Sequence, residues 1–93
     1  MATTTTADRL ARVLRVPTFA TDGVPDAEGL ATLRALLAEL YPRTFDALEV
    51  ELVAEHTILA RWPGASADAP ALLMAHQDVV PPGDGWTHGA FDG

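Results

Sequence analysis

The stretch Ala71-Leu-Leu-Met-Ala-His-Gln-Asp-Val-Val-Pro-Pro-Gly-Asp-Gly-Trp86 decides how this chain is read. Five apolar residues, 71–75, lead into His76 and Asp78, and Pro81-Pro82 follow at once. An apolar run bounded by turn residues and lacking a polar face predicts a strand covered on both sides, as in α/β sheets. Alternate residues of a strand share a face, so His76 and Asp78 project together and Gln77 points the other way. The prolines place that polar pair at the carboxyl end of the strand, where open α/β sheets bind their ligands.

Working outward, Thr57 and its neighbours in His56–Trp62 predict a second strand, closed by Pro63-Gly64 and a small polar loop to Ala69. Before it, Leu48, Val50 and Leu52 alternate with Glu49 and Glu51, the pattern of a half-exposed strand. Leu30, Leu33, Leu37 and Leu40 recur at helical spacing, which predicts a helix starting near Pro25 or Asp26 and ended by Pro42. Asp22-Gly23 predicts a turn. Leu10, Val13 and Leu14 form an earlier helical stripe, opened by Thr5 with Asp8 and stopped at Val16-Pro17. Thr3–Thr6 reads as a frayed terminus. The fold class expected is α/β: two helices, then three strands of a mixed sheet, within a layered α/β/α domain. Two helices and two strands cannot cover a central strand on both faces and both edges. Residues 1–93 are therefore expected to be the N-terminal portion of a larger domain, with a complete small α+β domain as the alternative.

Composition excludes several functions. The net charge is −7, and all six basic residues are arginine, so nucleic acid or an anionic membrane surface is not the expected partner. Arg9, Arg12 and Arg15 share a spacing of three, the pattern of a solvated helix face. There is no cysteine, which removes disulfides, thiolate metal sites and thiol nucleophiles. The opening residues lack the pattern of a secretory signal, and no apolar stretch nears the roughly 18 residues of a membrane helix. A cytoplasmic location is the resulting expectation.

Three chemistries suit an imidazole and a carboxylate at such a tip. A hydroxyl nucleophile with a His–Asp relay finds little support, because Ser66 is the one serine and sits in a loop. Zinc ligation fits: one ring nitrogen holds the metal while a carboxylate on the other fixes tautomer and orientation. The third is a pair that satisfies itself at a sheet edge, the plain reading of an isolated His-x-Asp. Among the other residues, His88 reads as a solvated loop residue and His56 as a turn residue. Trp86 and Phe91 read as pins holding a glycine-rich loop, and Asp84 and Asp92 as turn residues beside glycine.

The surroundings of the pair change its weight. "PALLMAHQDVVP", then a glycine-tryptophan and "FDG", resembles the first metal motif of the zinc aminoacylase and carboxypeptidase family. That family includes glutamate carboxypeptidase, succinyl-diaminopimelate desuccinylase and acetylornithine deacetylase. The likeness is greatest to the carboxypeptidase S and N-acyl-amino-acid hydrolase branch, through Trp62-Pro63-Gly64, Tyr41-Pro42 and the "VPTF" of residues 16–19. It is specific from about Ile58 to Gly93.

The resemblance implies that His76 ligates one zinc of a two-zinc centre. Asp78 is then the catalytic carboxylate that steadies the imidazole and tunes the metal, while Val79, Val80 and Pro81 form the supporting strand end. It further implies a small-molecule substrate, a dipeptide or N-acyl amino acid, with a biosynthetic deacetylase or desuccinylase as the alternative within enzymes. In the family the bridging aspartate, the general-base glutamate, the remaining ligands and a smaller lid or dimerisation domain lie further along the chain, and a homodimer is compatible with that plan. A non-catalytic module that pairs through its strand edge is the reading from a different class. Gly89-Ala90 stand where the family often has Pro-Pro, which predicts a looser loop.

Overall fold

A computed structural model describes residues 3–93. It holds three helices and one two-stranded antiparallel sheet, so the α/β class stands.

Helix α1 spans Thr6–Leu14 and begins where the hydroxyl of Thr5 and the carboxylate of Asp8 cap each other's end. The Thr5 backbone N–H donates to Asp8 Oδ2 at 2.8 Å, and the Asp8 N–H donates to Thr5 Oγ1 at 3.1 Å. Thr5 and Thr6 are thus built into the helix start, against the expectation of a frayed Thr3–Thr6, because four exposed helical N–H groups reward any nearby oxygen. The Thr5 backbone N–H, then its hydroxyl, hold the Asp8 carboxyl below the ordinary aspartate value of 3.8. A lowered folded value means that stability from this cap is present above the unfolded value and is lost as pH falls through the folded one. Removing the cap by Thr5→Ala is expected to cost about 1 kcal/mol. An Asp8→Asn variant should lose the part of the acid transition in α1 helicity that lies below about pH 4. Circular dichroism against pH measures both.

Asp22 and Gly23, both at positive φ, make the expected turn, with Thr21 and Val24 exchanging backbone hydrogen bonds of 3.0 and 2.9 Å. Helix α2, Ala27–Leu40, is capped by Asp26, whose Oδ1 accepts from the Gly29 N–H at 2.9 Å. Gly29 is required there: a Cβ would lie 2.3 Å from the Asp26 carboxylate and 2.7 Å from the Pro17 carbonyl. That close approach seats the α1–α2 loop on α2. Leu30 and Leu33, on the expected stripe, are the buried apolar residues among those described.

Pro42 does end α2, and it also opens a third helix, α3, Pro42–Ala47, which periodicity did not predict. Proline at the first helical position loses no hydrogen bond and arrives with helical φ. Strands β1, Glu49–Val53, and β2, Thr57–Arg61, pair with Val50 opposite Ala60 and Leu52 opposite Ile58. Glu49 and Arg61 face each other across the pair and bond at 2.9 Å.

The expected third strand is not formed. Residues 71–80 are extended without a ladder partner, and Leu72, Leu73 and Met74 are 73%, 95% and 85% exposed. A strand exists only through the neighbours it pairs with, and β1 and β2 pair with each other instead. Among the described residues the helices lie beside one antiparallel hairpin, and the third strand of the expected mixed sheet is not formed. The arginine row is absorbed by contacts within the chain: Arg12 pairs with Glu39 at 2.9 Å, Arg9 lies over the Tyr41 ring, and Arg15 Nε donates to the Asp92 carbonyl. No helix among the described residues is long and apolar enough to cross a membrane.

Candidate functional site

The segment from Ala75 to Gly93 runs past the loop that joins α1 to α2, and side chains and backbone from both hold it there. The hydroxyl of Thr18, in that loop, donates to the Gln77 carbonyl at 2.7 Å. The Val79 N–H donates to the Thr18 carbonyl at 3.4 Å. The Gln77 side-chain amide donates to the His56 carbonyl in the β1–β2 turn. Its Oε1 is buried without a partner among the described residues. Farther along, Phe91 stacks on Phe19 with ring centroids 5.9 Å apart. The Gly89 N–H donates to Asp92 Oδ2 at 2.9 Å, and the Asp92 N–H to the Gly89 carbonyl at 3.1 Å. That turn ties the loop where Pro-Pro would have stiffened it. A Cβ at Gly89 would meet the Asp92 carboxylate at 2.3 Å, so glycine belongs to the turn.

His76 and Asp78 are brought together. His76 Nδ1 lies 2.7 Å from the Asp78 carbonyl oxygen and 3.1 Å from Asp78 Oδ1. Both partners can only accept, so the ring proton belongs on Nδ1 and the lone pair on Nε2. Nε2 makes no hydrogen bond among the described residues, and the His76 and Asp78 side chains are 85% and 64% exposed. The pair is neither splayed apart nor sunk in hydrocarbon. It offers one imidazole nitrogen to solvent, with a carboxylate behind the ring.

This donor arrangement suits zinc as a single ligand and its supporting carboxylate. It does not make a complete site, for no group of three histidine, cysteine, aspartate or glutamate side chains that could hold a metal occurs among the described residues. The pair borders an open hollow of about 1990 Å³ between the α2 face, with Leu30 and Leu33, and the segment carrying Trp86 and Phe91. A hollow of that size exceeds the roughly 300–1,000 Å³ of small-molecule pockets.

The remaining candidates fall as follows. His56 is a turn residue between the strands, and Phe91 is a pin. Trp86 is 59% exposed and bonds locally, its Nε1–H donating to the Pro82 carbonyl at 2.8 Å. His88 and Asp84 are exposed, as is Ser66, whose Oγ caps the Asp68 N–H. In the sequence Thr18 reads only as the start of a loop. Its signal was a hydroxyl set between Pro17 and Phe19 after a helix stop, a place where a polar group is buried only if it is bonded.

Among curated proteins, the chain is similar to an uncharacterized carboxypeptidase of Schizosaccharomyces pombe, 36% identical over 78% of this chain. It is also similar to carboxypeptidase S of Saccharomyces cerevisiae, 33% identical over 80% of this chain. The chain spans only 13% and 14% of the lengths of these relatives. No family model matches the chain, and no solved structure does. The sequence is thus carboxypeptidase-like.

Proposed function

We propose that residues 1–93 are the N-terminal part of the catalytic domain of a zinc-dependent peptidase or amidohydrolase. The complete enzyme cleaves the amide bond of a dipeptide or N-acyl amino acid. The observation that carries this reading is the His76 ring, with Nδ1 engaged by Asp78 and Nε2 presented to solvent. Likeness to proteins named carboxypeptidase supports it. His76 would hold one zinc of a two-zinc centre and Asp78 would keep its ring oriented. Bound zinc supplies Lewis acidity toward an amide carbonyl and toward water. The rest of the donor set belongs to residues outside this chain, because a catalytic zinc takes about three protein ligands.

The surface supports the same reading. The accessible area is 7646 Å², against about 5,200 Å² for a folded monomer of this mass. The Cα radius of gyration is 15.8 Å, against about 12 Å for a compact chain of this length. Cover by further protein would account for both values, and Leu72–Met74 are the most exposed apolar run of that surface.

The test is metal analysis and hydrolysis assays on the complete protein with dipeptides and N-acyl amino acids. Stoichiometric zinc and chelator-sensitive hydrolysis are expected, while residues 1–93 alone should show no hydrolysis and weak zinc binding. A complete protein without zinc or amide hydrolysis would overturn the reading. The exposure of Leu72–Met74 also favours a second reading, a non-catalytic module that pairs with another chain along this segment. Stable association of residues 1–93 with a partner whose complex hydrolyses no amide would favour it. The complete protein in this proposal is a cytoplasmic homodimer that acts on small molecules and takes no nucleic-acid or membrane partner.

A further inference from the structure

We propose that Thr18 is a positioning residue that sets the orientation of the His76–Asp78 pair; its use in zinc binding rests on the function proposed above. The pair cannot orient itself by packing, since both side chains are largely exposed. Its geometry must come from the backbone. Thr18 grips that backbone on both sides of Asp78: its hydroxyl holds the carbonyl of the residue before, and its own carbonyl holds the N–H of the residue after. It is 2% exposed and is the buried polar residue among those described. Neither bond involves the side chain of Gln77 or Val79, so the grip fixes the peptide planes that aim Asp78.

Thr18 is itself held firmly. The preceding Pro17 carbonyl lies where a Gly29 Cβ would sit only 2.7 Å away, which presses the loop onto α2. Branching at Cβ restricts the Thr18 rotamer, so its hydroxyl direction follows from the loop. Gln77 adds a second tether through the His56 carbonyl. With positions 77 and 79 held, Asp78 turns both its carbonyl and its carboxylate to one ring nitrogen of His76. Without the hydroxyl, the Gln77 carbonyl loses its partner and the peptide is free to rotate.

The experiment reads the ring ¹⁵N shifts of His76 in the metal-free, full-length protein labelled with ¹⁵N-histidine, all variants at one fixed pH. The parent and Thr18→Ser should show the Nδ1–H tautomer. In Thr18→Val the ratio of Nδ1–H to Nε2–H should fall roughly tenfold, the worth of one such hydrogen bond. Titration with zinc alone should weaken about 10–100-fold in Thr18→Val and recover in Thr18→Ser. An unchanged tautomer ratio in a folded Thr18→Val protein overturns the proposal. Should that variant not fold, amide exchange in the parent decides: Val79 slower than Val80 supports the grip, and equal rates overturn it. If the parent binds no zinc, the proposed function fails, and the tautomer ratio still decides the role of Thr18.

Discussion

His76→Ala in the complete protein is expected to abolish stoichiometric zinc at the site and reduce hydrolysis to background. Loss of a supporting residue commonly costs 10–100-fold in metal affinity, so loss of the ligand itself should exceed about 100-fold. Asp78→Asn gives the graded comparison. Its amide retains an oxygen that accepts from Nδ1–H, and the Asp78 backbone carbonyl at 2.7 Å is untouched. What goes is the negative charge behind the ring, so the decline should stay within about 10–100-fold. Zinc content by elemental analysis and kcat/KM on one dipeptide measure both. The order of the two variants matters as much as their size: a His76→Ala enzyme with normal zinc and turnover, or one less impaired than Asp78→Asn, contradicts the ligand role.

The second large effect concerns Leu73. In residues 1–93 alone Leu73→Lys should shift the melting transition little, because a 95% exposed leucine contributes almost nothing there. In the complete protein the same substitution should prevent folding. Burying a leucine is worth about 1.5–3 kcal/mol, and a lysine in its place adds the cost of an unpaired charge. Together these rival the roughly 5–15 kcal/mol by which a domain is stable. Soluble yield and thermal melts of both lengths measure the contrast. Equal tolerance in the long and short proteins would mean that nothing covers this segment.

Helices α1 and α2 and the hairpin were legible because their signals are local. Leucines at spacings of three and four, an aspartate cap and a proline stop lie within a few residues of the structure they specify. Helix α3 is not legible because six residues are too few to display a helical period, and a proline signals a helix end as readily as a helix start. The run 71–75 forms no strand among the described residues because its pairing is not a local property. Its composition reports what would cover it, whereas pairing depends on strands it does not contain. In the site, His76 and Asp78 meet through a 3.1 Å contact of Nδ1 with Oδ1, although the strand whose alternation predicted a shared face is not formed. The part played by the Asp78 carbonyl was not legible, since it depends on how the peptide planes turn. Thr18 was hidden too, because its burial comes from a segment 59 residues away in sequence.

That separation has a kinetic consequence. The cap of α1, the helical turns of α2 and the β1–β2 hairpin close over short stretches of chain and can form early. The clasp of Thr18 on Gln77 and of Arg15 on Asp92, bridging 59 and 77 residues, must wait for ends that meet by slower diffusion. The imidazole therefore acquires its orientation among the last events of folding, so a nascent chain with helices and hairpin already in place would still present His76 as an ordinary, freely turning ring.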